Sequence, residues 1–147
     1  MSNNGANPMK PYPGKLAEVR DLATGIKLFR VELTDREGQA AFADYRPGQF
    51  AFLSAFGAGE AAFGIAGTPA RGPVLDFAVQ ALGHVTDTLH GLEEGDPVGV
   101  RGPMGNWFPM EDLRGRNVVI LAGGMGGAPL RPVIQTILDN REDYGHL

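Results

Sequence analysis

Along the first hundred residues, apolar and polar positions alternate in short runs, each bounded by glycine, proline or acidic residues. A period of two puts every second side chain on one face, the pattern of a half-buried strand. Lys15–Ala23 fits it partly, with Leu16 and Val19 apolar, and Ile26–Leu33 fits it better. In the second run Ile26, Leu28, Arg30 and Glu32 face one way, and Lys27, Phe29, Val31 and Leu33 the other. Apolar residues on both faces near its middle suit a curved barrel strand. Thr34–Gln39 reads as a turn. A Pro47-Gly48 turn introduces a strand from Gln49, and Ala61–Gly67 is a short strand of small residues. After a turn at Thr68–Pro73, Val74–Leu82 alternates again, Val74, Asp76 and Ala78 opposing Leu75, Phe77 and Val79. Then the period changes. Leu82, Val85, Leu89 and Leu92 recur at spacings of three, four and three, which is one face of a short helix ended at Gly95-Asp96. Pro97–Gly102 is a strand, and Pro103–Arg116 a loop with one helical turn.

From Asn117 the style differs. Val118–Leu138 runs as a fully apolar strand, a glycine turn and an amphipathic helix, the first step of a parallel α/β layer. The predicted fold is mainly β: a six-stranded antiparallel, Greek-key barrel with one short helix, followed by the first β–α unit of an incomplete Rossmann-like domain. Residues 1–13 read as a flexible tail, 14–113 as the barrel and 114–147 as the start of the α/β unit, with the boundary near Leu113–Asn117. A lone strand and helix cannot bury both faces of a parallel layer, so the unit must pack on the barrel, pack on another chain, or stay loose.

Composition narrows the chemistry. The 147 residues contain no cysteine, which excludes a disulfide framework and any cysteine-ligated metal or iron–sulfur site within them. A net charge of −4, with no basic run, argues against nucleic acid as a partner. No apolar stretch is long enough to span a membrane, and the N-terminus lacks the apolar core of a signal peptide, which leaves the cytoplasm as the expected compartment. The 22 glycines and 11 prolines are spread along the chain as turn punctuation.

Two segments carry candidate chemistry. Gly123–Pro129, "GGMGGAP", follows a buried-type strand and opens a helix, the context in which backbone N–H groups hold a pyrophosphate. The competing reading is a tight turn that needs glycine only for its geometry. Leu82–Leu89, "LGHVTDTL", places Gly83 before a helix and Thr86 in its first turn, so these groups hold a phosphate or simply cap the helix. His84, His90 and His146 have no ligand spacing and read as solvated, with no metal site expected. Neither serine, Ser2 or Ser54, lies in a nucleophile elbow, and no catalytic side chain is assigned. Glu93, Glu94 and Asp96 read as a solvated helix end. Trp107 and Phe108 line a cofactor edge or, on the favoured reading, pack over the barrel mouth.

Taken in order, "YRPGQFAFLS", "AAFGIAGTP", "LGHVTDTLHGLEEGD", "VGVRGPMGNWFP" and "VVILAGGMGGAPLRPVI" resemble the ferredoxin–NADP reductase-like flavoproteins. Among these the chain is most similar to the gamma subunits of NiFe hydrogenases and to the corresponding component of anaerobic sulfite reductase, over roughly Gly14–Asn140. The family pattern at Gly95, Asp96, Val98, Gly102, Pro103 and Gly105 is intact. The resemblance implies FAD on the barrel, contacted by Ala62, Phe63, Gly64, Ile65, Val79, Gly83, Val85 and Thr86. It implies NAD(P) at Gly123, Gly124, Gly126, Gly127 and Pro129, hydride transfer between nicotinamide and flavin, and iron–sulfur or hydrogenase-type partner subunits. The chain departs from the family in three ways. The Arg-x-Tyr-Ser signature is replaced by Ala61, Ala62, Phe63 and Gly64; Gln80 and Ala81 stand where relatives carry a basic residue; and the dinucleotide domain stops after its first helix, without the C-terminal cysteines of relatives. These departures keep a second reading open, a non-catalytic, reductase-derived barrel that serves as a docking or scaffold subunit of a redox complex.

Overall fold

A computed structural model describes Asn7 and Met9–Leu147. Six strands form: β1 (Tyr12–Ala23), β2 (Ile26–Leu33), β3 (Phe50–Ala55), β4 (Gly59–Gly64), β5 (Val74–Gln80) and β6 (Pro97–Met104). Three α-helices accompany them: α1 (Arg36–Ala41), α2 (His84–His90) and α3 (Gly127–Asp139). The strands make one antiparallel sheet in the order β4-β3-β6-β1-β2-β5, so that β2 skips to β5 and β3 to β6 as in a Greek key. The two edge strands are not joined by a ladder. They meet where the Ala66 N–H, just past β4, donates to the Asp76 carbonyl of β5 at 2.8 Å.

The alternation read from the sequence decides what is buried. Phe29 and Val31 of β2 pair with Phe77 and Leu75 of β5, and these side chains lie in the core with Leu33, Val79, Leu16, Leu53, Val98 and Val100. Glycine is needed at the β1–β2 turn, where Gly25 has φ +71°, a region that disfavours any Cβ. Leu89 of α2 is fully buried and plugs one end of this core, with Val85 and Leu92 packed partly against it.

Several expectations need correction. Of the expected tail, residues 1–6 and 8 lie outside the described residues, while Tyr12 and Pro13 belong to β1 and pair with Val100 and Gly99. Thr34–Gln39 is not only a turn. The Asp35 carboxylate accepts the Gly38 N–H at 2.8 Å and starts α1. β4 begins two residues earlier than expected and ends at Gly64, because Gly64 pairs with Phe50, the first residue of β3. Leu82 precedes α2 rather than joining its apolar face, and is 78% exposed. His90 is only half-exposed: its Nε2 lies 2.9 Å from the Val79 carbonyl and its ring meets Phe29 edge-on. Phe108 packs on the Pro47–Gly48 turn, its N–H donating to the Pro47 carbonyl at 2.8 Å, and Arg46 lies over the Trp107 ring.

The largest difference concerns Val118–Leu121, which forms no strand although α3 forms as expected. An apolar strand needs a neighbour to take its backbone groups, and no sheet strand lies alongside it among the described residues. Only the beginning of such a pairing is present. Gly145 N–H donates to the Arg116 carbonyl at 2.8 Å and Val118 N–H to the His146 carbonyl at 2.7 Å. Val119 and Leu121 are left 83% and 88% exposed.

Candidate functional site

The glycine turn enters α3 through a single 3-10 turn at Gly124–Gly126, closed by the Gly126 N–H on the Gly123 carbonyl at 3.0 Å. Gly124, at φ +54°, needs glycine for its conformation. Gly123 (φ −104°) and Gly126 (φ −60°) do not, and a Cβ built on either meets no atom within 4 Å. At Gly127 the first contact is Ala122 Cβ at 3.8 Å. Pro129 sits in the first turn of α3, where a missing N–H costs nothing. Neither backbone angle nor packing asks for glycine at 123 or 126. Their effect is open space above the amides that start a 13-residue helix, the electropositive end of its dipole.

Gly83 repeats this logic at α2. Its φ of 172° is ordinary extended backbone, and a Cβ there meets nothing within 4 Å. Thr86 serves as a cap: its Oγ1 accepts the Leu82 and Gly83 N–H groups at 2.9 and 3.0 Å and donates to the Gly83 carbonyl. The first-turn amides of His84, Val85 and Thr86 have no intrahelical acceptor. Val85 lies against the start of β4, its Cγ2 being 3.6 Å from a Cβ built on Gly59.

β4 offers little side-chain polarity. Ala61 and Phe63 pair with the buried Leu53 and Ala51, and Phe63 packs partly against the core. Ala62 is exposed, and Glu60 is held by Arg101 of β6. Ile65 and Val79 are buried core side chains, so any contact they make with a ligand is through their backbone. A Cβ on Gly64 would stand 2.9 Å from Pro129 Cβ, so glycine there is what lets the start of α3 rest directly on the end of β4.

Asp76 ties these parts together. Its carboxylate, 8% exposed, accepts Arg30 Nε of β2 at 2.9 Å and Arg131 Nη1 of α3 at 2.8 Å. The same Arg131 nitrogen donates to the Ala66 carbonyl at 2.8 Å. Burial pushes the Asp76 carboxyl up, but hydrogen bonds and charge from Arg30 and Arg131 outweigh it and hold it below the usual carboxylate range. Nearby, Tyr45 has a buried hydroxyl without a partner; burial, and then the Asp76 charge, raise its pKa. Beside this cluster a cleft of about 330 Å³ opens between the outer face of the sheet (Ile26, Leu28, Ala78) and the start of α3 (Gly124, Gly127, Ala128), with Ala66 and Arg131 at its wall.

No family model matches the chain. It is 37% identical over 134 residues to the sulfhydrogenase 2 gamma subunit of Pyrococcus furiosus, an alignment covering 91% of this chain and 46% of that one. With the sulfhydrogenase 1 gamma subunit of the same organism it shares 36% identity, covering 96% and 48%. It is 33% identical to a probable dihydroorotate dehydrogenase B (NAD(+)) electron transfer subunit of Methanocaldococcus jannaschii, covering 86% and 42%. A solved cytochrome P450 reductase of Amycolatopsis superposes at a TM-score of 0.70 with 26% identity, over 88% of this chain and 39% of that one. The chain shares the fold of the ferredoxin–NADP reductase-like flavoproteins. It spans about half the length of the relatives it matches. Within this superfamily frame, the expected phosphate-facing glycines at 83, 123, 124 and 126 all border open space, while Val79 and Ile65 are turned inward. Asp76, Arg131 and Ala66 do not stand out in the sequence as site residues. The one available signal is a charged residue, Asp76, between Leu75 and Phe77 on an otherwise apolar strand.

Proposed function

We propose that the chain is the FAD-binding part of an NAD(P)H-linked electron-transfer subunit. The observation that carries this reading is the set of glycines at 83, 123 and 126, which the chain's own conformation and packing do not require and which leave helix-start amides open. Main-chain N–H groups at His84–Thr86 would take the FAD pyrophosphate, and the open edge at Ala62–Ile65 the flavin ring through its backbone. Gly123, Gly124, Gly126, Gly127 and Pro129 would face the nicotinamide dinucleotide. FAD, when bound, supplies the conversion between a hydride pair and single electrons; the protein supplies orientation and keeps the two ligands in order. The names of the relatives, a hydrogenase gamma subunit and an electron transfer subunit, support an iron–sulfur or hydrogenase-type partner.

The missing Arg, Tyr and Ser of the flavin signature favour a second reading, in which the domain docks within a redox complex without flavin. The purified protein separates the two. Visible flavin absorption, with near-stoichiometric release on denaturation, is the outcome expected of the first. Colourless protein that gains no thermal stability from added FAD defeats it.

A further inference from the structure

The superfamily fold places two ligand-facing segments in sequence, but it does not say what holds them in register. Two elements converge on one carboxylate, and a third on the backbone carbonyl of the same residue. Asp76 is on β5; Arg30, from β2, donates to both of its oxygens, Nε to Oδ1 at 2.9 Å and Nη2 to Oδ2 at 3.4 Å, and Arg131, from α3, donates to Oδ2. The Asp76 carbonyl receives the Ala66 N–H, and Arg131 returns a bond to the Ala66 carbonyl, so the segment leaving β4 is pinned from both sides. Two residues before Ala66, Gly64 meets Pro129 with no room for a Cβ. From Pro129, α3 runs one half-turn to Arg131, so the contact and the ion pair fix the same end of the helix. The Asp76 side chain is almost wholly buried, so it binds these two arginines rather than solvent. Arg71 adds a more exposed tie at the far end of α3, through Asp139.

We propose that Asp76 is a positioning residue: by holding Arg131 while its own backbone holds Ala66, it sets the distance between the strand end at Gly64–Ala66 and the glycine turn at Gly123–Pro129. The purpose of that distance rests on the proposed function; the clamp itself does not. Removing the charge leaves two guanidinium groups, Arg30 and Arg131, facing each other across a neutral amide. Their mutual repulsion then acts to lift α3 from the sheet, whereas Glu18 continues to hold Arg30 on its own side.

The test compares the full chain with Asp76→Asn, Asp76→Glu and Arg131→Met, with and without added FAD. Hydrogen exchange of the α3 amides should rise about tenfold in Asp76→Asn and Arg131→Met, with β1–β3 unchanged, as in a local opening. Asp76→Glu should restore protection. In wild type and Asp76→Glu the visible band of bound FAD should have one shape. In the two loosened variants it should change shape, while FAD affinity set at the Gly83 helix stays within about threefold. Unchanged α3 exchange, or an equal rise across the whole sheet, overturns the proposal. Arg131→Met keeps the test decisive if Asp76→Asn does not fold. If wild type binds no FAD, the flavin reading fails and the exchange data alone judge the clamp.

Discussion

Placing a carboxylate at the start of α2 has opposite effects on stability and on ligand affinity. Gly83 is extended and its Cβ position is open, so Gly83→Asp introduces neither strain nor a clash. Aspartate is also a better helix cap than glycine and sits at the positive end of the helix, so stability should rise by about 0.3–1 kcal/mol. FAD affinity should move the other way. A carboxylate about 5 Å from a phosphate charge, at an effective dielectric of about 40, costs about 1.7 kcal/mol, and a pyrophosphate carries two such charges. The expected loss is therefore about 15- to 300-fold in Kd. Gly83→Asn is the control, since it caps as well and adds no charge. Urea unfolding gives the first quantity and calorimetric titration of FAD the second. Unchanged FAD affinity in Gly83→Asp refutes the assignment of this helix start to phosphate. An equal loss in Asp and Asn refutes the electrostatic part of the reasoning and leaves only a steric one.

Other outcomes follow from the same structure. Gly64→Ala places a methyl group 2.9 Å from Pro129 Cβ, and should loosen α3 at a cost of about 1–3 kcal/mol, read as faster exchange of its first-turn amides. Phe77→Ala empties the centre of the core and should lower stability by about 3–5 kcal/mol in urea unfolding; a cost below about 1 kcal/mol would contradict the packing described. Leu121→Lys alters a side chain 88% exposed and should change stability by less than about 0.5 kcal/mol. The clamp also has a pH signature. Because the folded-state pKa of Asp76 is depressed, its contribution is complete above the unfolded value and fades only as pH falls through the lower folded one. Arg30 of β2, Arg131 of α3 and the Tyr45 phenol face it; the pKa values of Arg30 and Tyr45 are raised, so neither loses its proton in that range, and Glu18 reaches it only through Arg30. Protection of α3 should thus stay level from neutral pH to about 5 and fall only below about 4, so a loss already at about pH 6 would contradict the assignment.

The β-sheet is legible in the sequence because its core is built from alternation: Phe29, Val31 and Leu33 face inward as their period requires. Leu28 is on the opposite face and is nonetheless buried, in the wall of the cleft that Ala66 and the start of α3 also line, and nothing within β2 itself signals that burial. α1 reads as a turn because its six residues have no apolar period; a single capping carboxylate, Asp35, makes it a helix. The clamp is out of reach for a different reason. Arg30 and Arg131 lie 46 and 55 residues from Asp76, and local pattern carries no information at such separations. The reverse holds at Val118–Leu121, where the local signal for a strand is strong but a strand exists only beside another one. The glycines proposed to face phosphate are visible from motif and context, and the structure adds that glycine at 83, 123 and 126 has no internal cause.

The most direct measurement is amide NMR of the chain during titration with FAD. The account predicts saturable shifts at 1:1 stoichiometry, largest for the N–H groups of His84, Val85 and Thr86, with accompanying shifts at Ala62–Ile65. Absence of saturation, or shifts confined to other surfaces, would contradict it.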